Sequence, residues 1–71
     1  MDEPTEYLVG VRLREVAKAD DYRVGDDLFL HVGDIVVVEA GVAEAVGEVR
    51  RPRRPLPESR REGAYPRVLR P

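Results

Sequence analysis

The feature that most constrains the fold is a run of four β-branched residues, Ile-Val-Val-Val at residues 35–38, between Gly33-Asp34 and Gly41. Such residues have stiff χ1 angles that suit a pleated surface, so the run favours a strand. Because both of its faces are apolar, we expect this strand to be the central and most buried one. Gly41 predicts a turn, after which residues 42–49 return as the second strand of an antiparallel hairpin.

A helix is the competing interpretation of residues 42–46, because alanine and glutamate have high helix propensity. Gly47 and Pro52 bracket this segment too closely for a stable helix, so we expect a strand here. A glycine inside a strand indicates a bulge or a close backbone approach, which small barrels need at their corners.

Three further segments have strand character. Apolar and polar residues alternate over residues 6–13, which is typical of a half-buried strand. A short extended piece follows at residues 22–24, and Leu28 and Leu30 are placed to anchor the next loop under the barrel. Residues 65–69 predict a final strand, which Pro66 confines to an edge. The chain is therefore expected to be all-β, a small SH3-like barrel of four or five strands with an Arg/Pro-rich loop before the last strand.

Charge divides the chain at Val49. Residues 1–48 contain twelve acids and four bases, whereas residues 49–71 contain eight arginines and two acids. Three prolines between residues 52 and 57 favour polyproline II structure over a strand. We therefore expect a disordered N-terminus at 1–5, a β-barrel body at 6–49, an Arg/Pro-rich loop or arm at 50–64, and a closing edge strand with the C-terminal end at 65–71.

Composition excludes most catalytic classes. The chain has no cysteine and one histidine, so thiolate metal sites, cysteine nucleophiles and multi-histidine sites are ruled out. A 71-residue domain buries only about 60 % of its unfolded surface, which leaves little room for a cleft. We expect no enzymatic activity, cofactor, metal or small-molecule substrate. The acidic N-terminus is unlike a signal peptide, and no apolar run approaches the ~20 residues of a membrane helix, so we expect a cytoplasmic protein without membrane contacts.

Several polar residues have simpler structural roles than catalytic ones. Asp34 follows a glycine before the predicted hairpin, where its carboxylate is expected to accept hydrogen bonds from turn N–H groups. His31 is expected to be a solvated surface residue, with a pH switch as the alternative. The acidic loop residues lack the ordered spacing of a calcium site and predict either a solvated loop or a contact for the basic arm. They are Asp20, Asp21, Asp26 and Asp27.

The strongest candidate site is the arginine segment. Its members are Arg50, Arg51, Arg53, Arg54, Arg60 and Arg61. Arginine pairs bidentately with carboxylates, so we expect a protein partner with an acidic surface. Binding to nucleic acid is the alternative, but Phe29 is far away in sequence and only Tyr65 lies nearby to stack on bases. A third possibility is that the arginines are simply solvated.

An ordered series of motifs also runs along the body: LVGVRL at residues 8–13, Tyr22, Leu28, VGDIVVVE at 32–39 and GEV at 47–49, followed by VLR at 68–70. This series resembles the amino-terminal region of the PSP (polymerase-suppressor, RicT/YaaT-type) family of bacterial regulatory proteins. RVGD at residues 23–26 departs from the family's aromatic-Asp-Pro-Gly, and Gly41 lies earlier than its usual hairpin glycine. The family's long cysteine-containing carboxy-terminal part is absent, so we expect a truncated or short relative.

The resemblance implies a non-enzymatic adapter or regulatory module that binds a protein partner within a multiprotein bacterial complex. Roles that belong to the family's cysteine-containing part do not transfer to this chain. A small β-barrel that binds RNA or DNA through its arginine-rich segment is the alternative function, since many small barrels bind nucleic acid.

Overall fold

The computed structural model describes residues 6–60 and 62–71 and is almost entirely β-structure. The predicted disordered segment 1–5 and the candidate residue Arg61 lie outside this range. The elements are strands β1 (Glu6–Leu13), β2 (Asp20–Gly25), β3 (Ile35–Ala40), β4 (Ala43–Pro55) and β5 (Val68–Arg70), with one turn of 3-10 helix at Glu58–Arg60. The prediction of a small all-β domain with four or five strands is confirmed.

The five strands form one sheet in the order β2-β1-β4-β3-β5, with every neighbouring pair antiparallel. The sheet curls into a half-barrel, which brings its two outer strands towards each other. On this side the Arg23 N–H donates to the Pro66 carbonyl at 2.8 Å, and Arg23 and Arg67 form a parallel bridge. The backbone before β5 therefore links the last strand to β2.

The concave face holds one apolar core. As the alternation along β1 predicts, Val9 and Val11 are buried in it, while Tyr7 and Leu13 pack against its margin. The buried members are Val9, Val11, Tyr22, Val24, Leu30, Val36, Val38, Val49 and Val68. Leu28 packs against this cluster next to Leu30, so the predicted anchoring of the loop between β2 and β3 is confirmed.

The hairpin predicted around Gly41 is present, with β3 and β4 antiparallel from Ile35↔Glu48 to Ala40↔Ala43. Gly41 has a φ of 65°, in the left-handed region that glycine adopts without steric cost. The expectation that residues 35–38 form the central, most buried strand is wrong. In this sheet β4 is central, and β3 alternates, with Val36 and Val38 buried and Ile35 58 % exposed.

The predicted boundary between a β-barrel body at 6–49 and a loop or arm at 50–64 is also wrong. Residues 50–55 continue β4 instead of forming a polyproline arm, and the connection to β5 begins only after Pro55 and includes the 3-10 turn. Prolines are tolerated here because pairing with β3 ends at Ile35↔Glu48, so beyond Val49 the strand has β1 on one side alone. Pro52 also lies where the β1–β4 register is irregular, between Gly10↔Arg51 and Leu8↔Arg54.

Val38 and Val37 allow a direct test of which face of β3 is buried. Val38→Asp places a charge where the side chain is fully buried, and we expect a loss of about 3–5 kcal/mol, comparable with the ~5 kcal/mol stability of a small domain. Val37→Asp is the matched control on the half-exposed face, and we expect it to cost about 1 kcal/mol. Urea denaturation followed by circular dichroism measures both, and equal losses would contradict this assignment.

An ion pair across β3 predicts a pH dependence of stability. Arg70 Nη2 on β5 donates to Glu44 Oε1 on β4 at 2.8 Å. This hydrogen bond and the charge of Arg70 lower the pKa of Glu44 below its ordinary value of 4.5. Because the folded-state pKa is the lower one, the pair stabilises the fold above the unfolded-state pKa, and this contribution is lost as the pH falls through the folded-state pKa.

We therefore expect the stability difference between the wild type and Glu44→Gln to be constant near neutral pH. It should shrink towards zero as the pH is lowered below 4.5. Urea denaturation between pH 7 and pH 3 measures the difference. A difference that does not change over this range would show that Glu44 does not titrate against Arg70.

Candidate arginine-rich binding site

The site is built on a row of residues that crosses three strands. In the sheet Gly10 of β1 pairs with Asp21 of β2 on one side and with Arg51 of β4 on the other. A Cβ added at Gly10 would lie 2.7 Å from the Arg51 Cβ and would collide with Arg51 Nε. The missing side chain therefore leaves a path over β1, along which Arg51 Nη2 reaches Asp21 Oδ1 at 3.2 Å.

The irregular register of β4 adds a second arginine to the same face. Residues three apart in a regular strand point to opposite faces, because side chains alternate. Here Arg51 lies opposite Gly10 and Arg54 lies opposite Leu8, so three steps on β4 match two on β1. The extra residue is a β-bulge, and it lets Arg54 Nη2 donate to Asp21 Oδ1 at 2.9 Å.

A third arginine comes from the 3-10 turn. Arg60 Nη1 lies 3.9 Å from Asp21 Oδ2, so three guanidinium groups surround a single carboxylate. We call Asp21, Arg51, Arg54 and Arg60 the Asp21 cluster. The Asp21 side chain is 20 % exposed, whereas the three arginine side chains are 40–56 % exposed. The cluster therefore exposes its guanidinium groups to solvent, whereas the Asp21 carboxylate is largely covered.

Asp20 does not add to this cluster. Neighbouring side chains on β2 point to opposite faces, so Asp20 lies on the same side as Tyr22 and away from Asp21. The pKa of Tyr22 is raised, first by burial of its hydroxyl and second by the negative charge of Asp20. Among the described residues, Asp21 is the one carboxylate that forms ion pairs with Arg51, Arg54 and Arg60.

Arg53 lies apart from the Asp21 cluster. Its guanidinium carbon is 3.9 Å from the centre of the Tyr7 ring and 4.4 Å from the centre of the Phe29 ring. Its Nη1 also donates to the Leu28 carbonyl at 3.3 Å. We call this arrangement the Tyr7–Arg53–Phe29 stack. Cation–π contacts with two aromatic rings hold the Arg53 guanidinium in place.

The structure thus separates the six arginines predicted to bind a partner. Three of them converge on Asp21, Arg53 joins the stack, and Arg50 pairs with its near neighbour Glu48 at 3.8 Å. Arg61 lies outside the described residues. Of the four aspartates predicted to lie in a loop, Asp20 and Asp21 lie on β2 instead, and Asp21 makes the predicted contact with the arginine segment.

The sequence interpretation missed Tyr7 and Phe29. Phe29 is 24 positions from Arg53, and proximity in sequence gave no sign of their contact. The one available signal was an aromatic residue between two apolar anchors, since Phe29 follows Leu28 and precedes Leu30.

Two other candidates have the structural roles expected of them. The Asp34 carboxylate accepts a hydrogen bond from the His31 backbone N–H at 2.8 Å, so it caps the turn before β3 as predicted. The His31 ring is exposed, and its Nδ1 lies 3.9 Å from Asp34 Oδ2. The predicted surface position of His31 is confirmed.

A separate apolar groove lies at the other end of β1. Its lining combines Gly47 and the apolar residues Leu13, Ile35 and Val46 with the charged residues Arg12, Arg14 and Glu48. Ile35 and Val46 are both exposed there.

No protein-family model matches this chain, and no curated protein or solved structure shows significant similarity to it. Within residues 6–60 and 62–71 no three His, Asp or Glu side chains are grouped so that they could hold a metal ion. The same described residues include no helix long and apolar enough to cross a membrane.

The Asp21 cluster predicts a salt-dependent effect of one substitution. Asp21→Asn removes the shared counter-ion and leaves three guanidinium groups that repel one another. We expect a loss of about 0.5–1 kcal/mol at low salt, as is usual for partly exposed ion pairs, and a smaller loss at high salt, where the repulsion is screened.

The control is Asp26→Asn, which removes the same charge from an exposed turn residue that makes no ion pair with any described residue. Urea denaturation at 20 mM and 500 mM NaCl measures both variants. Equal losses at both salt concentrations for Asp21→Asn would mean that repulsion within the cluster is not the cause.

Proposed function

We propose that this chain is a non-enzymatic adapter or regulatory module that binds an acidic segment of a protein partner at the Asp21 cluster. The observation that carries this proposal is the unequal charge of the cluster, with three guanidinium groups around one carboxylate. Asp21 balances one of the three positive charges, and all three guanidinium-bearing side chains are partly exposed to solvent. An anionic partner group is the natural counter-ion for the remainder.

The chemistry of arginine supports a carboxylate-bearing partner. A guanidinium presents N–H donors in a planar fork that matches the two oxygens of a carboxylate. Arg51 and Arg54 are already oriented by Asp21 and by the strand that carries them, so less conformational entropy is lost when a partner binds. The site is therefore arranged for recognition of specific groups more than for diffuse charge attraction.

The proposed class of function also draws on the sequence. The chain has no cysteine and a single histidine, which is exposed, and these features favour a binding role over catalysis. The motif series over residues 8–49 resembles the PSP family, whose members are bacterial regulatory proteins. We extend the proposal accordingly to a cytoplasmic regulatory complex of several proteins.

A second candidate function is binding of single-stranded nucleic acid. The observation that favours it is Phe29, which is 72 % exposed although its ring contacts the Arg53 guanidinium. An exposed ring of this kind can stack on a base. The Asp21 cluster, however, lies on the opposite face from Tyr7, which packs against the core and contacts Arg53. One strand would have to pass around β4 to use both, so we favour the protein partner.

A triple substitution tests the proposal. Arg51→Gln, Arg54→Gln and Arg60→Gln together remove the positive groups of the cluster and leave Arg53 in its stack. We expect the triple variant to bind a fluorescein-labelled peptide of eight glutamates at least about tenfold more weakly than the wild type, because charge-assisted hydrogen bonds are lost. Fluorescence anisotropy at 150 mM NaCl measures the affinity, and a thermal melt confirms that the variant is folded.

The matched control combines Arg14→Gln, Lys18→Gln and Arg50→Gln, which removes the same number of charges elsewhere. We expect it to bind the peptide within about threefold of the wild type, since only screened long-range attraction changes. An equal loss of peptide affinity in both variants would show that binding depends on the overall charge of the protein and not on the Asp21 cluster. Tighter binding of a ten-nucleotide single-stranded RNA, lost on Phe29→Ala, would favour the second candidate instead.

A further inference from the structure

We infer that the group bound at the Asp21 cluster is a phosphate monoester, so that the partner segment carries a phosphorylated serine or threonine. This inference rests on the proposed function, because it specifies the ligand of the same site. Its starting point is the net formal charge of the cluster, in which three positive groups face one negative group.

Charge balance distinguishes between the available anions. A carboxylate carries one negative charge and leaves the cluster positive. A phosphodiester of a nucleic acid backbone also carries one charge per phosphate. A phosphoserine carries about −1.5 to −2 at pH 7 and therefore matches the two positive charges that Asp21 does not neutralise.

Hydrogen-bonding capacity leads to the same ligand. Each guanidinium has five N–H donors. Among the described residues, Arg51 donates to Asp21 and to the Ala19 carbonyl, Arg54 donates to Asp21, and Arg60 is in ion-pair range of Asp21 without a hydrogen bond. Many donors therefore remain for a ligand with three acceptor oxygens, which a phosphate monoester provides and a carboxylate does not.

The position of Asp21 makes the cluster suitable for such a ligand. Its carboxylate is the least exposed group of the four, and it draws guanidinium groups from β4 and from the 3-10 turn to one point. Without it, three like charges would separate. Asp21 is therefore a positioning residue, which holds the arginines close enough for one phosphate to contact more than one of them.

Three peptides that differ only in their central residue test the inference. Each is fluorescein-labelled and has two glutamates on either side of a central residue, which is serine, glutamate or phosphoserine. We expect the phosphoserine peptide to bind at least about tenfold more tightly than the glutamate peptide, as an added charge and extra acceptor oxygens allow. The Arg51→Gln, Arg54→Gln, Arg60→Gln variant should lose this advantage, and the Arg14→Gln, Lys18→Gln, Arg50→Gln control should keep it.

The outcomes separate this inference from the proposed function. Equal binding of the glutamate and phosphoserine peptides would overturn the phosphate assignment and leave the acidic-segment function standing. Failure of both to bind would overturn the two together. A phosphoserine advantage that survives in the triple variant would place the phosphate site outside the Asp21 cluster. Displacement of the phosphopeptide by a lower concentration of ten-nucleotide single-stranded RNA would overturn the inference in favour of nucleic acid.

Discussion

The candidate site depends on one close approach, the passage of the Arg51 side chain over the backbone of Gly10. The pairing places Arg51, Gly10 and Asp21 in line on β4, β1 and β2, and any Cβ at the middle position would collide with Arg51. Glycine in a strand interior ordinarily weakens the strand, because it has no side chain to pack. At Gly10 the lack of a side chain lets Arg51 of β4 reach the Asp21 carboxylate of β2. Arg54 and Arg60 form ion pairs with the same carboxylate.

Strand β4 has two different roles along its length. From Ala43 to Glu48 it pairs with β3, and from Gly47 onward it also pairs with β1, while Val49 is buried in the core. From Arg50 to Pro55 it pairs with β1 alone, where prolines and two shifts of register are tolerated. The half of β4 that ends in the core is thus continuous with the arginine half, and the bulge places Arg51 and Arg54 on one face while Arg53 contacts Tyr7 and Phe29.

Local patterns predicted most of the fold. Alternation over residues 6–13, the β-branched run at 35–38 and Gly41 each lie in the elements they indicated. The prolines led to the wrong prediction of an arm after residue 49. A proline disrupts a strand only where a neighbouring strand would accept a hydrogen bond from its missing N–H group. In β4 this depends on where β3 ends. The arginines were predicted as a group, but their division between Asp21 and the aromatic stack depends on register and a bulge, which arise from long-range pairing. Burial of the run at 35–38 was overestimated, since its outer apolar side chains remain partly exposed.

The central claim is that the guanidinium groups around Asp21 contact an anionic partner while the other arginines do not. Two-dimensional NMR of the arginine Nε–Hε groups, recorded during titration with the phosphoserine peptide, tests this residue by residue. The account predicts saturable shifts at Arg51, Arg54 and Arg60, with the signals of Arg50 and Arg14 unchanged. Shifts that spread equally over all arginines, or that are confined to the Arg12 and Arg14 signals at the apolar groove, would contradict it.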